Sequence, residues 1–141
     1  MQTTRKYVYV VDDEHIIANT LSAILRGSGY DAIAFYSAET AIASCERQHP
    51  DFVITDISLP GKNGIEMAMQ LRTRFPKCGV LLFSGQVGTM ELIEKAYQKG
   101  YDFELITKPV HPKDLLAKLA TAIRRPVESE GYLPDTNAAA S

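Results

Sequence analysis

The stretch VITDISLPGKNG, residues 53–64, decides how this chain folds. A β-branched, apolar run reaches Asp56 and breaks into a loop carrying Pro60, Gly61 and Gly64. Within that loop Asn63 and, three residues on, Glu66 stand at the spacing of a helix capping box. A buried strand, a tight loop and a helix start follow one another within 14 residues, 53–66. The carboxylate between them needs an explanation, because loss of water at the mouth of a buried strand disfavours its charged form.

The same succession recurs along the chain. Short apolar runs appear at YVYVV (7–11), DAIAF (31–35), FVIT (52–55), VLLF (80–83) and FELI (103–106). They are apolar throughout rather than alternating, as strands covered on both faces of a parallel sheet should be. Between them lie segments with helical spacing. Ile17, Leu21, Ile24 and Leu25 share one face, as do Ile65, Ala68, Leu71 and Phe75. Ile93, Ala96 and Tyr97 repeat the pattern, and so do Leu115, Leu116, Leu119 and Ile123; Ala38, Ala41, Ile42 and Cys45 give a thinner version. Pro112 suits a first helical turn, and Gly29 and Gly100 stand where helices close. Strict β-then-α alternation predicts an α/β fold, a doubly wound parallel sheet with helices on both faces and right-handed crossovers.

Bulk properties narrow the function. A chain of 141 residues holds one domain with a real core, assigned to 1–125. Fifteen Lys and Arg against 17 Asp and Glu give a net charge of −2, with no basic run of nucleic-acid-groove density. Cys45 and Cys78 lack metal spacing and read as free thiols of a reducing compartment. The first residues, MQTTRKYVYVV, are too short in apolar content for a signal peptide, and no run reaches membrane-spanning length, so a cytoplasmic location is expected. After Arg125 the chain turns small and polar, and 126–141 reads as a flexible C-terminal tail.

In a doubly wound sheet, reactive groups collect at the carboxyl ends of the strands. Here those ends bring Asp12, Asp13 and Glu14 after the first strand, Asp56 at the third, Ser84 at the fourth and Lys108-Pro109 after the fifth. Carboxylates ~4 Å apart repel by about 4 kcal/mol per pair at an effective dielectric near 20. Lys108 alone does not neutralise three of them. A hard divalent cation does, and an all-oxygen pocket suits Mg²⁺. Asp56 then stays ionised and can attack phosphorus as a carboxylate nucleophile, with Lys108 neutralising phosphoryl oxygens and Ser84 donating a hydrogen bond to one of them.

With these residues in place the chain resembles the response-regulator receiver domains of two-component signalling. VVDDE (10–14), TDISLPGKNG (55–64), LFSG (82–85) and TKP (107–109) carry the resemblance, which covers roughly residues 6 to 124. It implies a flavodoxin-like three-layer sandwich with strand order 2-1-3-4-5 and five helices. It further implies Asp56 as phosphoacceptor, with Asp12, Asp13, Asp56 and the backbone carbonyl of Ser58 as the Mg²⁺ ligands. Lys108 would bind the phosphoryl group before a cis proline bond, and Ser84 would be the hydroxyl that turns inward on phosphorylation. The phosphodonor would be a sensor histidine kinase or a phosphotransfer protein, and the protein would catalyse its own phosphorylation and slow dephosphorylation without being an enzyme of another substrate.

The chain departs from the family pattern in one switch position. Where the family commonly places an aromatic that moves with the hydroxyl, this chain has Leu105, and the segment from Gly100 to Lys108 is one residue longer. Ser58 and Gln86 occupy the positions that tune dephosphorylation. His15, His49 and His111 share no ligand spacing and read as surface or capping residues; Met67, Met69 and Met90 read as packing. Phosphorylation is expected to switch the binding of a protein partner through the 89–124 face, with the chain a monomer or weak homodimer. No helix-turn-helix pattern follows Arg125, so direct DNA binding is not expected, nor is membrane association. Three alternatives stand beside this one: an inactive pseudo-receiver scaffold, the receiver fragment of a larger regulator, and an aspartyl-nucleophile phosphohydrolase. The last disagrees with the position of Asp56, since such enzymes carry the nucleophile after the first strand in a DxD pattern and this chain has DDE there.

Overall fold

The computed structural model describes residues 5–85 and 88–124. Gln86, Arg125 and the segment 126–141, each given a role above, lie outside the described residues. Ten elements alternate along the described residues. They are β1 (Tyr7–Val11), α1 (His15–Gly27), β2 (Asp31–Phe35), α2 (Ala38–Arg47), β3 (Phe52–Asp56), α3 (Gly64–Arg74), β4 (Gly79–Ser84), α4 (Thr89–Gln98), β5 (Glu104–Thr107) and α5 (Pro112–Arg124). The strands form one parallel sheet in the order β2-β1-β3-β4-β5. Reversal of the winding direction after β1 leaves a crevice between the carboxyl ends of β1 and β3.

Both faces of the sheet are covered, which is why the strands are apolar throughout. One core layer takes Tyr9, Val11, Val53 and Leu82 with the inner faces of α2 and α3 and Ala96 of α4. The other takes Val8, Val10, Ile54, Leu81 and Phe83 against Leu21 and Leu25 of α1 and Leu115 and Leu119 of α5. Alternate residues of each strand therefore serve opposite layers. Each fully buried Leu contributes about 1.5–3 kcal/mol in transfer terms.

Local signals behave as their chemistry requires. Asn63 Oδ1 accepts from the Glu66 N–H at 2.9 Å while Glu66 Oε1 accepts from the Asn63 N–H at 3.0 Å, so the capping box at α3 is formed. Pro112 is the first residue of α5. Gly29 and Gly100, at φ of 100° and 96°, follow α1 and α4 in the left-handed conformation. There the N–H groups of Gly29 and Tyr30 return to the carbonyls of Arg26 and Leu25, and those of Gly100 and Tyr101 to Tyr97 and Ala96.

Three details differ from expectation. The strand read as FVIT runs one residue further and closes on Asp56, which pairs with Phe83. The fifth strand begins at Glu104 rather than Phe103 and runs to Thr107, directly before Lys108. Tyr97, assigned to the inner face of α4, is 62% exposed, and Met90 is 65% exposed rather than packed. The inner stripe of α4 is Thr89, Leu92, Ile93 and Ala96; this narrow helix face leaves Tyr97 on its outer edge.

Cys45 and Cys78 are free and buried in the same core layer. Burial pushes the Cys45 thiol up to about 11 and the Cys78 thiol further still. Raised thiol pKa values stabilise the fold fully below the unfolded value near 9, and that contribution is lost as pH climbs through the folded value. Neither cysteine should react with iodoacetamide at pH 8 in the native protein, and both should react in urea. Stoichiometric native labelling within minutes, read by mass, would show that this layer opens.

Candidate functional site

Residues at the carboxyl ends of β1, β3, β4 and β5 come together at one edge of the sheet. Asp12 follows β1 directly and is wholly buried. Its N–H donates to the Phe35 carbonyl at 3.0 Å, and its Oδ1 accepts from the Glu14 N–H at 2.9 Å, which anchors the turn into α1. Asp13 beside it is exposed. Asp56, nearly buried, accepts at Oδ1 from the Ser58 N–H at 3.3 Å. Lys108 reaches across the sheet end and places Nζ 3.1 Å from Asp56 Oδ2 and 3.5 Å from Asp12 Oδ2. Its own N–H donates to the Ser84 carbonyl at 3.1 Å, and its peptide bond to Pro109 is cis.

The electrostatics are those of a carboxylate-rich pocket under strain from desolvation. Burial raises the pKa of Asp12, against the lowering effects of the Glu14 N–H and the Lys108 charge; Asp56 raises it further. For Lys108, burial pulls the pKa down, but the hydrogen bond and charge of Asp56, followed by Asp12, outweigh it and the net shift is upward. One cation thus serves two carboxylates, and a third stands at the rim. Carboxylate oxygens of Asp12, Asp13 and Asp56 lie within 4.8 Å of one another. A hard-oxygen donor set with a wholly buried member held above its ordinary pKa fits a divalent cation of the Mg²⁺ class.

Among the described residues, Asp12, Asp13, Asp56, Ser58, Ser84 and Lys108 all stand at this edge, with one difference in aim. Ser84 ends β4, opposite Thr107, and its Oγ lies 3.2 Å from the Thr89 Oγ1 of α4. Leu105 and Phe103 pack, partly buried, on the α3–α4 side of the sheet. Phe103 is stacked on Tyr101 at 5.8 Å between ring centroids, with the Arg72 guanidinium 4.9 Å over its ring. Of the histidines, His15 stacks on Tyr36 at 3.7 Å and His49 meets Phe75 edge-on, while the His111 carbonyl accepts from Leu115 at the start of α5.

Several contributors escaped the sequence reading. A Cβ on Gly85 would lie 2.6 Å from the Lys108 Cβ, so the residue after Ser84 must lack a side chain for Lys108 to cross there. Glu39 of α2 accepts from the Lys62 N–H at 3.0 Å and braces the loop after Asp56 from 23 residues away. An apolar groove of about 350 Å³ opens from Lys108 along Pro109, Val110, Ile17 and Ile24, with Ile16 at its rim 80% exposed.

Comparison with known proteins places the chain in a family. The response regulator receiver domain family matches residues 8–120. The DNA-binding response regulator MtrA of Mycobacterium tuberculosis is 31% identical over 125 residues, 89% of this chain and 54% of that protein. The alkaline phosphatase synthesis transcriptional regulatory protein PhoP of Bacillus subtilis is 32% identical over 120 residues, 85% of this chain and 49% of that protein. The chain therefore spans about half the length of these curated relatives. A CheY-like response regulator receiver domain protein from Methanospirillum hungatei superposes with a TM-score of 0.80 at 27% identity, covering 91% of this chain and all of that one. This chain belongs to the response regulator receiver domain family of two-component signalling, whose members partner with histidine kinases. Among the described residues no helix is long and apolar enough to cross a membrane.

Proposed function

We propose that Asp56 is the phosphoacceptor of a Mg²⁺-dependent receiver and that its phosphorylation switches the binding of a protein partner. The observation that carries this is the Lys108 ammonium 3.1 Å from an Asp56 carboxylate that also stands within 4.8 Å of two other carboxylates. Asp12, Asp13, Asp56 and the Ser58 carbonyl would hold the metal, which would supply positive charge for phosphoryl oxygens and keep neighbouring carboxylates ionised. Asp56 Oδ2 attacks phosphorus of the donor, forming the acyl phosphate while the bond to the donor's leaving atom breaks and that atom keeps the electron pair. Lys108 then transfers its attention from two carboxylates to the arriving phosphoryl oxygens, where its charge counts most in the transition state. Ser84 donates to one of the same oxygens. The Ser58 N–H keeps the other Asp56 oxygen aimed inward.

A sensor histidine kinase or phosphotransfer protein would supply the phosphoryl group, and an apolar groove opens from Lys108 beside the site. The receiver occupies 1–125 in this proposal, and the partner-binding surface is the 89–124 face. Adding Mg²⁺ with beryllofluoride, a phosphoryl mimic, should shift the amide resonances of residues 12, 13, 56–58, 84 and 108. Shifts of that set with Mg²⁺ and none without it are expected. Unmoved resonances at 56–58 would leave a scaffold reading instead.

A further inference from the structure

The end of β4 and the start of α4 are joined by a pair of hydroxyls. Ser84 Oγ and Thr89 Oγ1 lie 3.2 Å apart, and Thr89 is only 4% exposed. Helices α2 and α3 are capped by side chains, Ser37 and Asn63. Helix α4 is not: its N-cap is Gly88, at φ 106°, with no side-chain capping bond. The Ser84–Thr89 contact caps no backbone N–H; it instead pins the side chain of the first α4 residue to the end of β4.

The alternative transmitter across this face is poorly placed. Leu105 has no polar group to exchange, and Phe103 stacks on Tyr101 with the Arg72 guanidinium over its ring. That leaves the Ser84 hydroxyl as the group whose partner can change when a phosphoryl arrives. Its present partner is on α4, the helix that presents Met90 and Tyr97 to solvent.

We propose that Thr89 is a positioning residue that ties the Ser84 hydroxyl to the first turn of α4, so that phosphorylation exchanges this hydrogen bond for one to the phosphoryl group and loosens that turn. This rests on Asp56 being the phosphoacceptor. It makes α4, rather than an aromatic on β5, the element that reports phosphorylation at the partner-binding face.

Amide hydrogen exchange across residues 92–95, in the unphosphorylated chain and after acetyl phosphate with Mg²⁺, tests it. A hydrogen bond of ordinary net strength predicts that Thr89→Val exchanges about 2- to 12-fold faster before phosphorylation. Ser84→Ala should match Thr89→Val, and Thr89→Ser should behave as wild type. Phosphorylation should accelerate exchange in wild type and add little in Thr89→Val. Intact mass on each sample reports the adduct. Wild-type exchange rates in unphosphorylated Thr89→Val and Ser84→Ala would overturn the tie. An adduct on the wild-type chain with unchanged α4 exchange would overturn the coupling and leave the phosphoacceptor intact. A wild-type chain that gains no phosphoryl group would take both down together, and the mass would show it.

Discussion

Replacing Lys108 with Ala should slow phosphorylation by acetyl phosphate about 100- to 1000-fold, the usual loss for one preorganised group facing a developing charge. The Lys108 ammonium is within reach of both Asp12 and Asp56, so the change also removes the cation from beside a wholly buried carboxylate. Stripping one partner from a buried pair costs up to about 3–5 kcal/mol, and partial exposure of Lys108 brings the expectation down to roughly 1–3 kcal/mol. The sign with pH follows from Asp12, whose pKa burial already raises. Its neutral form is the one the fold prefers, so stability is fully present at acid pH and falls as pH rises through the folded value. Without Lys108 that fall deepens. Urea unfolding should therefore separate variant and wild type at pH 7.5, with the gap narrowing as pH falls toward the unfolded Asp12 value near 3.8. A phosphorylation rate within threefold of wild type, or equal stability at both pH values, would remove Lys108 from the site.

Gly64→Ala should unfold the protein at a markedly lower temperature, by about 3 kcal/mol or roughly 10 °C for a chain of this size. A Cβ on Gly64 would lie 2.1 Å from the Asp56 carbonyl oxygen and 2.9 Å from the Ile57 Cα. Both are backbone atoms, held in place because the Gly64 N–H donates to the Ile57 carbonyl at 2.9 Å. The clash cannot be relieved by a side-chain rotation, and relieving it by moving the backbone displaces Asp56. Phosphorylation should therefore fall with stability. Gly27→Ala is the control, since a Cβ there meets nothing within 4 Å and the position is helical; it should be neutral or stabilising by up to about 1 kcal/mol. Equal melting temperatures for the two variants, by calorimetry, would contradict this account of the loop.

The fold was legible because its signals are local. Periodicity found the five strands and five helices, and the capping box at Asn63 and Glu66 marked the start of α3. The site was legible because parallel topology sends the residues after β1, β3, β4 and β5 to one edge, whatever their separation in sequence. What stayed hidden depends on contacts between distant residues. Nothing near Glu39 announces that it holds the Lys62 N–H, and nothing near Gly85 announces the side chain of Lys108. Thr89 looks like any threonine before a helix until β4 brings Ser84 beside it. Tyr97 shows the opposite failing: helical spacing puts it with Ile93, but the width of the neighbouring core decides which of the two is covered.

The central claim is that the carboxylate closing VITD accepts a phosphoryl group. Intact mass measured after incubation with acetyl phosphate and Mg²⁺, on wild type and on Asp56→Asn, addresses it most directly. The expected result is a gain of one phosphoryl group in the wild type, absent when Mg²⁺ is chelated and absent in Asp56→Asn. An Asp56→Asn chain that gains the same mass, or a wild-type chain that gains none at any Mg²⁺ concentration, would contradict it.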